Sequence, residues 1–321
     1  MALTFACFGY DRTEALRTGA VQVEGFDVEY LDLYPREIFD RMGATAEFDA
    51  CEFSFTEYAM HYARGNSPFV AIPVFPSRAF RHSFIFKNRN AGIETPKDLE
   101  GKRVGAPIYT MTAALWQRGM LSDEYGVDWT KIHWVQGQID SAGAHGQPAI
   151  PELLTPVDIE NAPSDKSLGD MLVDGRLDAT IGTRNPDTKD HPDVVRLFPD
   201  HRAAERDYFD RTGIFPIMHL VAIRRDVHEA NPGFAQALYT ALCKAKQETL
   251  TKLRYLGANL SMVPFFAADM EEIADIFGGD PYPYGIEPNR KTMETMLRYM
   301  AEQDYIPEAI PVDDLFVDVK D

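Results

Sequence analysis

Short apolar runs alternate with amphipathic stretches along the first ninety residues. Residues 3–8 (Leu-Thr-Phe-Ala-Cys-Phe), 28–31, 48–54 and 69–73 carry the density of β-branched and aromatic side chains expected of buried strands. Between them, residues 13–18, 35–42 and 56–64 read as helices. Strand, helix, strand in repetition predicts a mostly parallel α/β sheet. A further strand is predicted at 83–86, and a new unit opens near Thr95. There Pro96 to Gly105 reads as a helical turn, a glycine turn and a strand ending at Ala106-Pro107. Thr110 or Thr112 then caps a helix over 113–121, with Leu115 and Trp116 on its apolar side. Strands follow at 132–135 and 178–182, with a short helix over 168–173 between them.

Residues 137–167 are rich in Gly, Ala and Pro without any period, the pattern of a long surface loop or hairpin. The last third opens on a strand at 217–223 too apolar to be anything but buried. Asn231-Pro232 starts a long helix in which Phe234, Leu238, Leu242, Ala245, Thr249 and Leu253 share one face. A final helix over 292–303 aligns Met293, Met296, Leu297 and Met300, a stripe that reads as core rather than as a cofactor box.

Composition narrows the partners. With 50 Asp+Glu against 32 Lys+Arg the formal net charge is −18, and no basic run stands out. Such a surface repels phosphate backbones and anionic bilayers, so neither nucleic acid nor membrane is expected as a partner. No stretch of apolar residues is long enough for a membrane span. Cys7, Cys51 and Cys243 are odd in number and share no short spacing, which argues against a disulfide framework. The chain opens directly on a strand without a signal-like segment, so a cytoplasmic location is expected.

Several chemistries have no support in the motifs. There is no GxxxxGK[ST], GxGxxG, HExxH, CxxC or GxSxG, and no two of the eight histidines stand four apart. No cofactor is expected; a divalent metal stays open, although no ligand spacing asks for one. The dense constellation is Pro73 to Ser83, where Arg78, Arg81 and His82 are interleaved with aromatics in an otherwise acidic chain. Arginine forks match carboxylates bidentately and a histidine titrates near neutrality. The competing reading is a solvated loop whose arginines pair with nearby acids.

Two segments, 97–105 (Lys-Asp-Leu-Glu-Gly-Lys-Arg-Val-Gly) and 172–179 (Leu-Val-Asp-Gly-Arg-Leu-Asp-Ala), resemble the type II periplasmic-binding-protein fold. More specific are residues 48–55, 73–83, 109–119 and 212–219, which together resemble the 4,5-dihydroxyphthalate decarboxylase family, a cytoplasmic branch built on that fold. The resemblance runs from the first strand to at least His228. It implies an α/β protein of two lobes with the ligand cleft between them: residues 1–88 plus 216–321 as lobe 1, and 89–215 as lobe 2. It further implies a non-oxidative decarboxylase, a carboxy-lyase of phthalate degradation that acts on a small aromatic carboxylate. Self-association stays open.

In such sheets ligands lie beyond the carboxyl ends of the strands. Arg12, Glu52, Ser54, Arg78, Arg81, His82 and Arg184 follow or end strands, and Thr110 and Thr112 stand at a helix N-terminus. Within the resemblance, His82 is expected as the acid that protonates the ring. Glu52 is expected to accept the phenol proton, and Arg78 and Arg81 to clamp carboxylates with Arg12, Arg184, Ser54, Thr110 and Thr112 in support. His219 competes for the acid role, against a reading as a core histidine bonded to backbone; Glu52 has its own competing reading as half of a lobe-stabilising ion pair with an arginine. A non-catalytic solute-binding protein for an anionic or aromatic ligand is the alternative function.

Overall fold

A computed structural model describes residues 2–146, 148–257 and 260–320. Two sheets carry the chain. The first has the order β2-β1-β3-β11-β4, built from β1 (Leu3–Cys7), β2 (Val28–Asp32), β3 (Ala50–Ser54), β4 (Phe69–Arg78) and, much later in the chain, β11 (Ile217–Arg224). β1 is parallel to β2 and β3, whereas β11 runs antiparallel to both β3 and β4. The second has the order β10-β5-β9-β6-β7-β8, from β5 (Phe86–Asn88), β6 (Arg103–Ala106), β7 (His133–Gln136), β8 (Ile159–Asn161), β9 (Ala179–Thr180) and β10 (Val194–Arg196). Helices pack on both, giving the expected α/β architecture.

Prolines locate the sheet edge. Pro73 and Pro76 would each cost a ladder bond in a central strand. β4 is the edge strand of its sheet, and their carbonyls are used instead by Gly285 N–H and by the Arg12 guanidinium. The opposite case is β3, in which every residue is buried, Glu52 included. A carboxylate on such a strand must find partners inside the protein.

Three expectations shift. Residues 82–84 form a 3-10 turn rather than strand, and the strand that follows is β5, which pairs with β9 and β10. The second sheet therefore begins inside the span assigned to lobe 1. The segment 137–167 is not all loop, since Ile159–Asn161 adds a parallel edge strand beside β7. Helices His201–Thr212 and Phe266–Phe277 lie where no periodic pattern was read.

The methionine stripe is core, as read. Met293, Met296, Leu297 and Met300 are buried on helix Arg290–Glu302, which lies against helix Thr112–Tyr125 through a Trp116–Tyr299 edge-to-face contact at 5.5 Å. Arg118, fully buried on that helix, donates to Gln303 Oε1, to the Tyr109 carbonyl and to the Tyr305 hydroxyl. Among the described residues no helix is long and apolar enough to cross a membrane.

Candidate active site

A cleft of about 670 Å³ opens between the two sheets. The first sheet and its helices contribute Tyr10, Arg36, Phe39, Ser54, Glu57, Ser77, Arg81 and His219; the second side contributes Met111, Thr112, His145, Thr183 and Arg184. The volume falls within the range of small-molecule sites.

His219 enters this cleft because its strand is irregular there. The β11–β4 ladder changes register on both sides of the His219–Ser77 pair. Such bulges twist a strand locally and re-aim the side chain at the irregular position. The imidazole lies edge-on to Phe39 with centroids 4.8 Å apart, and Nδ1 sits 2.6 Å from Glu52 Oε1. Glu52 itself has no exposed surface and lies behind the cleft wall. The Tyr10 hydroxyl donates to Oε1 at 2.6 Å and Phe8 N–H donates to Oε2 at 3.1 Å. Burial pushes the Glu52 carboxyl up, but the bonds and charge of His219, with Tyr10 and Phe8 N–H, outweigh it and hold the group below the usual carboxylate range. Burial and the Glu52 charge push the Tyr10 phenol far upward, so it serves as a donor. Among the described residues no hydrogen bond engages His219 Nε2. The dyad can therefore hold a proton at Nε2 and deliver it into the cleft, while Glu52, sealed by His219, Tyr10, Phe8 N–H and the Cys7 thiol, does not reach a substrate hydroxyl as expected.

The expected cations separate into two groups. Arg81 lines the cleft, is 5 % exposed, and forms no salt bridge or side-chain hydrogen bond among the described residues; its Nε is buried without a partner. Burial pushes its pKa down to about 10, with Glu205 opposing, so it stays charged at neutral pH. Arg184 also lines the cleft, more than half exposed, and pairs with Asp140 at 2.7 Å. Arg78 lies outside the cleft lining. Its guanidinium donates to the Phe215 and Pro283 carbonyls and to Asn289 Oδ1, a structural clasp rather than the expected clamp. Arg12 is likewise outside, donating to the Pro76 carbonyl and stacked between the rings of Tyr10 and Tyr282 at 4.0 and 4.2 Å.

His82 is corrected as well. It is 1 % exposed, with both ring nitrogens unpartnered, enclosed by Phe198, Tyr208 and Tyr125 at 5.0 to 6.3 Å, and it does not line the cleft. Burial first, then the Arg211 charge, push its pKa down to about 4. It is neutral at pH 7 and walled off from any ligand in the cleft.

Ser54 and Thr112 do meet there. Their hydroxyls are 3.2 Å apart and both contact Thr56, tying the end of β3 to the start of helix Thr112–Tyr125. Thr110 contributes its carbonyl to Thr56 Oγ1 instead of lining the cleft. Sequence reading missed Tyr10, Arg36, Glu57, Ser77 and His145. Arg36 pairs with Asp40 at 2.8 Å and faces the buried Glu57 at 3.4 Å; burial pushes the Glu57 carboxyl upward, with Arg36 opposing. Glu57 was legible as the third residue past a Ser N-cap, since Ser54 Oγ accepts from Glu57 N–H. Nothing in the sequence signalled His145. Among the described residues no group of three His, Cys, Asp or Glu side chains is placed to hold a metal ion.

The chain is 36% identical to the 4,5-dihydroxyphthalate decarboxylase of Comamonas testosteroni over 299 residues, covering 92% of this chain and 90% of that protein. It is 40% identical to the enzyme of the same name from Pseudomonas putida over 209 residues, 64% of this chain and 81% of the relative. Among solved structures it resembles the periplasmic aliphatic sulphonate binding protein SsuA of Escherichia coli, with TM-score 0.54 at 14% identity over 98% of this chain and 97% of that one. The alkanesulfonate-binding protein SsuA of Xanthomonas axonopodis pv. citri matches with TM-score 0.50 at 10% identity, over 99% and 98% of the two chains. These likenesses establish the periplasmic-binding-protein fold. No family model matches the chain.

Proposed function

This chain belongs to the 4,5-dihydroxyphthalate decarboxylase family, and on that premise we propose that it releases CO2 from 4,5-dihydroxyphthalate or a close relative, leaving the dihydroxybenzoate. Direct loss of CO2 would strand an electron pair in an aryl orbital with no conjugated acceptor. Protonating the ring carbon that bears the carboxylate, helped by electron release from the hydroxyl para to it, avoids that carbanion. The carbon–carbon bond then breaks, its electron pair restores the aromatic ring, and CO2 departs.

The observation that carries this reading is the Glu52–His219 dyad facing a cleft that also holds the unpaired Arg81. Protonated His219 is the acid, and Glu52 holds its imidazolium and its orientation from behind. Arg81 binds the carboxylate that stays on the ring, a role that suits a buried fork with no protein anion to satisfy it. Arg36 and Arg184 present guanidinium groups on the far walls, each already paired with a carboxylate. Capture of a dianion by a chain of net charge −18 then depends on local sign, because outer charges are screened beyond about 8 Å at physiological salt. Among the described residues Cys7, Cys51 and Cys243 form no disulfide, which suits a reducing compartment and favours the cytoplasm.

The test is to incubate the purified chain with 4,5-dihydroxyphthalate and follow substrate loss and CO2 release, with and without a chelator. Turnover is expected. A raised melting temperature without product would instead make it a binding protein for such anions.

A further inference from the structure

Electron release from the para hydroxyl is strongest once that hydroxyl has lost its proton, and the dyad is an acid. A base is needed elsewhere in the cleft. The segment 137–167, which the site above leaves without a role, supplies one.

This segment leaves β7 on the second sheet and crosses to helices of the first. A Cβ at Gly146 would stand 2.6 Å from Asp40 Oδ2 and 2.8 Å from Arg36 Cδ, so its backbone presses directly on helix Pro35–Thr45. Gly146 has φ +74°, a conformation that suits glycine. Further along, Arg64 donates to the Glu152 carbonyl at 2.6 Å, and Leu154 N–H donates to the Asp304 carbonyl at 2.8 Å. The strap delivers His145 to the cleft wall between Arg36 and Arg184.

The tautomer follows from its partner. His145 Nδ1 lies 2.9 Å from Gln138 Oε1, and a carbonyl oxygen only accepts. Nδ1 therefore carries the proton and Nε2 presents a lone pair. Glu57, the other proton acceptor on the wall, already faces Arg36.

Resting on the decarboxylase reading, we propose that His145 is the catalytic base that takes the phenolic proton. Nε2 accepts the proton of the hydroxyl para to the departing carboxylate. His219 then gives its proton to the ring carbon, the carbon–carbon bond breaks with its pair returning to the ring, and CO2 leaves. His145 returns its proton to the product phenolate, and solvent reprotonates His219, so one proton is consumed per turnover. Arg36 and Arg184 stabilise the phenolate. Burial first, then the charges of Arg36 and Arg184 with Asp40 opposing, hold the His145 pKa below the usual histidine value, which keeps it an acceptor at pH 7.

The experiment measures kcat and KM of the wild-type chain, His145→Gln and His145→Ala for 4,5-dihydroxyphthalate from pH 6 to 10, with imidazole added to the Ala variant. His145→Gln is expected to lose about 10²-fold or more in kcat at pH 7 with little change in KM. The deficit should shrink toward pH 10, where a phenol ionises unaided, and imidazole should restore part of the His145→Ala rate. A deficit that is absent, or constant across pH, overturns the assignment while leaving the decarboxylase reading intact. A wild-type chain that releases no CO2 overturns both.

Discussion

Glu52 Oε1 and His219 Nδ1 lie 2.6 Å apart across two adjacent antiparallel strands, with the carboxylate wholly buried and the imidazole at the cleft surface. On the proposed mechanism the proton that reaches substrate leaves from Nε2, and Glu52 acts by holding the imidazolium. Glu52→Gln keeps the volume and an acceptor oxygen while removing the charge. It is expected to lower kcat by about 10²-fold or more with KM little changed; a folded variant with wild-type kcat would remove the dyad from the mechanism. Stability gives a second readout. The folded Glu52 pKa is lowered, so its contribution is present above the unfolded value of about 4.3 and is lost as pH falls through the folded one. The gap in unfolding free energy between wild type and Glu52→Gln should be widest near pH 7 and close in acid.

Arg81 and Arg78 sit three residues apart in the sequence and do opposite work. Arg81 lines the cleft and forms no salt bridge or side-chain hydrogen bond among the described residues, whereas Arg78 is spent on Phe215, Pro283 and Asn289. Hydrogen bonds to charged groups contribute about 1.5–3 kcal/mol, so Arg81→Ala should raise KM roughly 10- to 100-fold. Arg81→Lys should fall between, since it keeps the charge and loses the fork. Arg78→Ala should instead take the donor from the buried Asn289 Oδ1 and from the Phe215 carbonyl and lower stability by on the order of 3 kcal/mol, seen in denaturant unfolding. If substrate KM responds to Arg78→Ala in a variant of wild-type stability, the two roles are misassigned.

The difference between these arginines marks how far the chain could be read without coordinates. Apolar runs and caps reveal β1, β3, β4 and β11, because strands buried on both faces must be apolar whatever packs on them. Helix His201–Thr212 escaped because it is polar nearly all round, with only Tyr208 buried. Helix Phe266–Phe277 lies among acids that mask its apolar face. At the site, Arg81, Ser54, Thr112 and Arg184, singled out by residue type, line the cleft, and Glu52 lies behind its wall. Residue type could not tell Arg81 from Arg78, which alternate around the end of β4, nor His219 from His82. That choice depends on a register shift in the β11–β4 ladder and on an aromatic enclosure assembled from residues 125, 198 and 208, neither of which has a local signature.

His82 leads to the last expectation, in which burial works against charge. Its folded pKa of about 4 lies well below the unfolded value of about 6.5, because burial disfavours the imidazolium and the Arg211 charge adds to it, with Asp207 opposing. The unfolded chain therefore binds this proton first as pH falls. The stability associated with neutral His82 is fully present above about pH 6.5 and is lost as pH drops toward 4, by about 2–3 kcal/mol between pH 7 and 4.5. His82→Phe removes the titrating group and keeps an aromatic ring in the enclosure. Its unfolding free energy, measured in urea, should fall less steeply than that of wild type over this interval, and its kcat at pH 7 should stay close to the wild-type value because His82 does not line the cleft. Parallel stability curves for the two proteins would mean that His82 is already satisfied within the fold, and a large loss of kcat in a stable variant would return the acid role to it.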